Sequence, residues 1–210
     1  MKPSNLRTVA FVGIDGSGKS TQVRMLGDRL RERGAAVFVV HPYGSKLLGR
    51  VASGRPRPSR RLRVPTADER PRAAPAIALA DFAELAAYLW AKLLRARIKA
   101  ILAPRRQVWV IGDRSFDDVI AKHRRRRALP PVMLDRVRNL APKFARTILL
   151  DVAPQVAFKR DQDFALSYYE SVAALHREAA RAHGYAVLDV TGATRDEVFQ
   201  GVLSLIEPEL

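Results

Sequence analysis

Blocks of apolar and polar residues alternate along the chain and predict strands and helices in regular succession. Buried strands are predicted where β-branched and aromatic residues cluster, at residues 8–12, 36–40, 107–115, 146–152 and 185–190. Helical spacing of apolar residues covers residues 20–33, 76–102, 116–127, 132–140, 154–161, 168–183 and 194–206. Strands that alternate with crossover helices form a parallel sheet. The pattern therefore predicts one α/β domain over residues 1–210, with five parallel strands and helices on both faces.

The regular spacing of apolar residues ends after the second predicted strand. Residues 41–75 contain stretches such as GRPRPSRRLRVP, in which Pro, Gly, Ser and Arg replace the apolar periodicity. Long loops within a compact domain are usually lids or binding segments. We expect a mobile loop at about residues 44–75.

The charge of the chain is strongly basic, with 37 Lys and Arg against 21 Asp and Glu and a formal net charge of +16. The cations concentrate at residues 50–72 and at 122–127, KHRRRR. Clustered cations neutralise phosphates, so a nucleic-acid partner is one interpretation. No aromatic residues interleave with either cluster to form a stacking platform for bases. We therefore favour a solvated surface and a wall around a small anionic substrate.

Several function classes are excluded by what the sequence lacks. It contains no cysteine, which excludes a disulfide framework and a thiolate metal site. It has no apolar run of 18 residues that would span a membrane, and the N-terminus has no apolar segment typical of a signal peptide. We expect a cytoplasmic protein.

The first strand leads directly into the sequence GIDGSGKS at residues 13–20, and a helix follows. This is the pattern G-x-x-x-x-G-K-[ST] of a phosphate-binding loop, in its expected place between a strand and a helix. Glycine lets the backbone curl around a phosphate, and main-chain N–H groups then point at the anion. The predicted phosphate ligands are Gly13, Asp15, Gly16, Ser17, Gly18, Lys19, Ser20 and Thr21. Lys19 is expected to reach the β- and γ-phosphates of ATP, and the Ser20 hydroxyl is expected to bind Mg²⁺.

The third strand ends in polar residues, Asp113, Arg114 and Ser115. Ligands of a doubly wound sheet bind beyond the carboxyl ends of its strands, so these side chains are expected to face the phosphate loop. Asp113 is the predicted acidic partner of Mg²⁺. Arg114 can hold a phosphate in a bidentate fork.

Taken in order, several segments resemble the thymidylate kinase family of nucleoside monophosphate kinases. They are FVGIDGSGKSTQ, HPYGSKLLG, IGDRSFDD, LLDVAPQVAFKR and YAVLDVTGATRDEVF, and the resemblance covers most of the chain outside about residues 50–75. The resemblance implies a three-layer P-loop kinase fold with strand order 2-3-1-4-5, and ATP as the phosphate donor. It places the acceptor phosphate near Asp15, Arg114 and the loop after the second strand, with Pro42 and Tyr43.

The resemblance also implies a short lid at about residues 157–165 that supplies a catalytic arginine. No arginine occurs between Ile14 and Ser17 of the phosphate loop, so Arg160 in the segment Lys159-Arg160 is the candidate. An arginine beside the transferring phosphoryl group contributes about 10³-fold or more in rate.

The sequence departs from the family mostly on the acceptor side. Val12 stands where the family usually has Glu, and His41 and Tyr43 replace an acidic residue and a glycine of the Pro-Gly-Gly loop. Ala80-Asp81-Phe82 on the long helix lacks the family's arginine, and Lys92 or Arg95 are the nearest cations.

The main hypothesis is therefore an ATP-dependent kinase with dTMP as the first acceptor. Another nucleotide, a nucleoside or a different small hydroxyl or phosphate remains open as the acceptor; a hydroxyl would need Asp15 or Asp113 as its base. A nucleotide-dependent nucleic-acid-binding protein without kinase activity is the alternative. Nothing resembles the Asp-x-x-Gly and Asn-Lys-x-Asp motifs of a GTPase. The apolar helix 76–102 could pack against a second copy of the chain, giving a homodimer.

Overall fold

The computed structural model describes residues 5–41, 75–125 and 129–206. The strands are β1 (Leu6–Val12), β2 (Ala36–Val40), β3 (Val108–Asp113), β4 (Arg146–Asp151) and β5 (Ala186–Asp189). The helices are α1 (Lys19–Glu32), α2 (Pro75–Leu102), α3 (Phe116–Arg125), α4 (Pro131–Leu140), α5 (Pro154–Arg160), α6 (Leu166–His183) and α7 (Arg195–Ile206). The predicted mobile loop at 44–75 lies almost wholly outside the described residues, as do Pro42 and Tyr43, and stays a prediction.

The five strands form one parallel sheet in the order β2-β3-β1-β4-β5, which confirms the predicted order. β1 is the central strand, and its residues Val9 to Val12 are fully buried. The pairing of Phe11 with Asp113 brings the carboxyl ends of β1 and β3 to the same level. The residues that follow these two strands therefore meet at one edge of the sheet.

Alternating residues of the central strands build a core on each face of the sheet. Trp109 and Ile111 of β3 pack with the apolar residues of α1 and α7. Val108 and Val110, their neighbours in the same strand, pack with those of α2 and α3. This alternation follows from the period of two in a strand. It explains why β3 reads as a continuous apolar run, since both of its faces are covered by helices.

Several element boundaries differ slightly from the prediction. β3 ends at Asp113, two residues before the predicted end, because Asp113 is the last residue that pairs with β1. α5 ends at Arg160, and α6 begins at Leu166, two residues earlier than predicted. Gly184 ends α6 in the left-handed conformation at φ 65°, as its position after the last turn predicts. Within the described residues, none of the helices is long and apolar enough to span a membrane.

Candidate active site

The phosphate loop lies between the end of β1 and the start of α1, in direct contact with the backbone of two other elements. A Cβ on Gly13 would lie 2.6 Å from the carbonyl oxygen of Leu150 in β4. A Cβ on Gly16 would lie 2.8 Å from the carbonyl oxygen of Ala157 in α5, and Gly16 also has a left-handed φ of 82°. Both positions require glycine for conformation and for space. The loop is thus seated against β4 and against the helix that leads into the predicted lid.

Lys19 is buried, with its ammonium group inside the curve of the loop. Nζ donates hydrogen bonds to the carbonyl oxygens of Gly13 at 2.8 Å and Ile14 at 2.6 Å, and to Ser17 Oγ at 3.3 Å. Burial, and then the positive charge of Arg114, lower the pKa of Lys19 to about 8. The side chain is therefore already held where the loop would receive a phosphate.

Ser20 and Asp113, the two residues predicted to hold Mg²⁺, contact each other beside the loop. Ser20 Oγ donates a hydrogen bond to Asp113 Oδ2 at 2.8 Å, and His41 Nε2 lies 3.8 Å from the same oxygen. The other carboxylate oxygen, Asp113 Oδ1, is buried and has no hydrogen-bond partner among the described residues. Mg²⁺ takes few protein ligands and completes its shell with water and substrate phosphates. A hydroxyl and an unsatisfied carboxylate oxygen at this place fit that ion, although the described residues contain no cluster of three acidic or histidine ligands.

Arg114, the residue that follows β3, forms an ion pair with Asp15 of the phosphate loop. Arg114 has a left-handed backbone with φ 84°, which a non-glycine residue rarely adopts, and its N–H donates to the Phe11 carbonyl at 3.0 Å. Burial tends to raise the pKa of Asp15, but the charges of Arg114 and Lys19 outweigh it and hold that pKa below its usual value. Asp15 is therefore an ionised carboxylate.

Arg160 reaches the phosphate loop from the opposite side. It is the last residue of α5, and its Nη1 donates a hydrogen bond to the Gly16 carbonyl oxygen at 3.3 Å. An aromatic cluster of Phe158, Phe164, Tyr168 and Tyr169 packs the end of α5 and the following segment onto α6. Three basic side chains from distant parts of the chain thus lie at one loop: Lys19, Arg114 and Arg160.

The other predicted site residues in the described part of the chain, Thr21 and Lys92, lie on the helices α1 and α2. Thr21 lies in the first turn of α1, and its N–H donates to the Gly18 carbonyl at 3.1 Å. Lys92 lies over the ring of Tyr88 on its own helix, 5.5 Å from the centroid. No hydrogen bond or ion pair among the described residues joins Lys92 to Asp15 or Arg114. Its role toward an acceptor stays a prediction.

Sequence reasoning missed a buried pair behind Arg114, formed by Asp118 of α3 and His176 of α6. His176 Nε2 lies 3.6 Å from Asp118 Oδ1. The Ser115-x-x-Asp118 spacing is a capping pattern and could have located the start of α3, since Asp118 Oδ2 accepts the Ser115 N–H at 2.8 Å. The contact with His176 has no sequence signal, because it joins two helices far apart in the chain.

Comparison with known proteins agrees with this geometry. A family model described as thymidylate kinase matches residues 11–183. A probable thymidylate kinase of Archaeoglobus fulgidus is 28% identical over 72% of this chain and 67% of its own length. A thymidylate kinase of Nitrosomonas eutropha is 27% identical over 95% and 91%. The crystal structure of thymidylate kinase from Ehrlichia chaffeensis shares the fold with a TM-score of 0.63, at 17% identity over 96% of this chain and 99% of that one. The chain belongs to the thymidylate kinase family.

Proposed function

We propose that this protein transfers the γ-phosphoryl group of Mg-ATP to a nucleoside monophosphate, with dTMP as the first acceptor. The observation that carries the proposal is the convergence of Lys19, Arg114 and Arg160 on one phosphate loop. Phosphoryl transfer requires little covalent help from the protein, because catalysis rests on positioning and on neutralising negative charge. Cations on several sides of a glycine-rich loop supply both.

On the donor side, the loop and Lys19 bind the triphosphate. Lys19 Nζ now donates to loop oxygens, and a bound triphosphate offers it phosphate oxygens of higher charge in the same place. Ser20 and Asp113 are the residues that would hold Mg²⁺, through the hydroxyl and the buried Oδ1. When bound, that ion neutralises charge on the phosphate oxygens as the transfer proceeds.

On the acceptor side, Arg114 binds the acceptor phosphate and Arg160 faces the transferring group. An acceptor phosphate oxygen attacks the γ-phosphorus in line, and the bond from that phosphorus to the oxygen bridging it to the β-phosphate breaks. A phosphate oxygen is anionic at neutral pH and needs no base. A hydroxyl acceptor would need one, and Asp15 has a lowered pKa and is already paired with Arg114, so it is a poor base. This supports a nucleotide acceptor over a nucleoside.

Nucleic-acid binding remains an untested prediction. Most of the basic residues behind it lie at residues 50–72 and 126–127, outside the described residues.

We further propose that α2 packs against a second copy of the chain. Its outer face carries an exposed apolar stripe at helical spacing, formed by Trp90, Leu94, Ile98 and Ile101, each about half exposed or more. A contiguous apolar surface of this kind usually marks an interaction site. A symmetric dimer would place the same stripe of both copies in contact.

The experiment that tests the function measures ADP release from Mg-ATP with a panel of nucleoside monophosphates, nucleosides and phosphosugars. We expect dTMP to give the highest kcat/KM, and the Lys19→Met variant to release no ADP above background. Highest turnover with a nucleoside, or no stimulation by any acceptor, would contradict the proposal.

A further inference from the structure

Two buried ionisable side chains lie directly behind the acceptor-side arginine. The side chains of Asp118 and His176 are 2% and 4% exposed, and Asp118 Oδ1 lies 3.6 Å from His176 Nε2 and 3.9 Å from Arg114 Nη1. That oxygen is buried and has no hydrogen-bond partner among the described residues. It therefore faces the imidazole and the guanidinium.

Burial makes this pair costly. It raises the pKa of Asp118 and lowers the pKa of His176, so each charged form is disfavoured relative to water. Buried ion pairs are weak contributors to stability, since desolvation offsets their attraction. Capping α3 needs an oxygen acceptor for the Ser115 N–H but needs neither a second carboxylate oxygen nor a histidine. Stability and capping therefore leave the pair unexplained.

The contacts of Arg114 suggest its role. Nη2 is paired with Asp15 of the phosphate loop, and Nη1 faces Asp118 of a helix. Two carboxylates acting on different nitrogens fix the plane of a guanidinium, and a bidentate grip on phosphate depends on that plane. Asp15 lies in the loop that must receive ATP, whereas Asp118 is anchored in α3 by its bond to the Ser115 N–H.

One face of α6 contacts both sides of the site. Tyr169 and His176 are seven residues apart, so they lie on the same side of the helix. His176 contacts Asp118, and the Tyr169 hydroxyl donates to the carbonyl oxygen of Asp161, the residue next to Arg160. Contacts with one helix, α6, therefore lie next to both arginines, Arg114 and Arg160.

We infer that Asp118 and His176 are positioning residues, which hold the Arg114 guanidinium in the orientation that grips the acceptor phosphate. This inference rests on the proposed function, because the phosphate that Arg114 grips is that of the acceptor nucleotide. It assigns to α6 the task of aligning Arg114 with the lid-side arginine.

The test compares Asp118→Asn and His176→Gln with Glu178→Gln. Asparagine keeps an oxygen for the Ser115 N–H but loses the charge. Glu178 is on α6, half exposed, and paired with Arg124 on the surface, so its variant is the matched control. We expect the KM for dTMP to rise about tenfold in the Asp118 variant and about threefold in the His176 variant, because a charge-assisted contact is weakened. The KM for ATP should stay within about twofold in both.

An unchanged KM for dTMP in folded Asp118→Asn would overturn the inference, as would an equal rise in both KM values. If that variant does not fold, His176→Gln decides the question by the same comparison.

A second readout separates this inference from the proposed function. The ¹⁵Nε resonance of Arg114, assigned with Arg114→Lys, should shift in both pair variants and not in the Glu178 control. If wild-type protein gives no turnover with any acceptor, the proposed function fails, while this resonance still reports on the pair. An Arg114 resonance identical in all variants contradicts the positioning role.

Discussion

Removing the lid-side guanidinium with Arg160→Ala should slow phosphoryl transfer far more than it weakens ATP binding. Arg160 is exposed at the end of α5, and its one hydrogen bond among the described residues goes to the Gly16 carbonyl at 3.3 Å. Gly16 is part of the phosphate loop, so the guanidinium lies within hydrogen-bond distance of the loop that would receive the phosphates.

The expected size of the effect follows from that distance. Two unit charges separated by about 4 Å attract by about 4 kcal/mol at an effective dielectric constant of about 20. If this attraction develops in the transition state, it corresponds to about 10³-fold in rate. The value agrees with the lower end of the range, about 10³ to 10⁵, for arginines that stabilise phosphoryl transfer.

The assay is steady-state ADP formation at saturating ATP and dTMP, which gives kcat, paired with calorimetric binding of a non-hydrolysable ATP analogue. Lys159→Ala is the matched control, because Lys159 is an exposed cation next to Arg160 in the same helix turn. We expect the Arg160 variant to lose about 10³-fold in kcat with ATP affinity within about threefold. Arg160→Lys should recover only part of the loss, since lysine lacks the planar fork.

The result that would refute this reasoning is a kcat for Arg160→Ala within tenfold of wild type. A loss confined to ATP affinity would contradict it equally, because the side chain would then bind the ground state alone. A large loss in Lys159→Ala with Arg160→Ala unaffected would assign the role to the neighbouring lysine.

Three further predictions concern the donor site and the surface. Because the pKa of Lys19 is lowered to about 8, its ammonium loses its proton as the pH rises through 8, and ATP affinity should fall by up to about tenfold per pH unit above that value. Calorimetry measures this affinity, and an affinity that stays constant up to pH 9.5 would contradict the placement of Lys19. Asp113→Asn should raise the Mg²⁺ concentration for half-maximal turnover about tenfold, because a neutral amide replaces the carboxylate ligand. If that concentration does not change, Asp113 is not a ligand of the metal. Leu94→Glu should convert a dimer into a monomer by light scattering, because it places a charge in the apolar stripe of α2; a wild-type monomer would exclude this interface.

The fold followed from sequence patterns to a large extent because each strand is a short apolar run and each helix has a clear apolar face. The strand order did not follow from periodicity, which fixes the elements but not their neighbours. It followed from the resemblance carried by motifs such as GIDGSGKS, and the pairing of β1 with β3 and β4 confirmed it.

The candidate site was predictable where its residues follow the ends of adjacent strands. Asp113 and Arg114 lie beside Ser20 and Asp15, as the edge of a parallel sheet requires. The left-handed backbone of Arg114 had no signal, because non-glycine residues seldom adopt it. The contact between Asp118 and His176 could not be predicted from the sequence either, because it depends on how α3 packs on α6.

The central claim is that γ-phosphoryl groups pass from ATP to a nucleoside monophosphate at this loop. The most direct measurement follows a mixture of protein, Mg-ATP and dTMP by ³¹P NMR, which separates every phosphate of donor and acceptor. We predict that dTDP and ADP appear in equal amounts as ATP and dTMP disappear. ATP that stays intact, or that becomes ADP and inorganic phosphate while dTMP is unchanged, would contradict the claim.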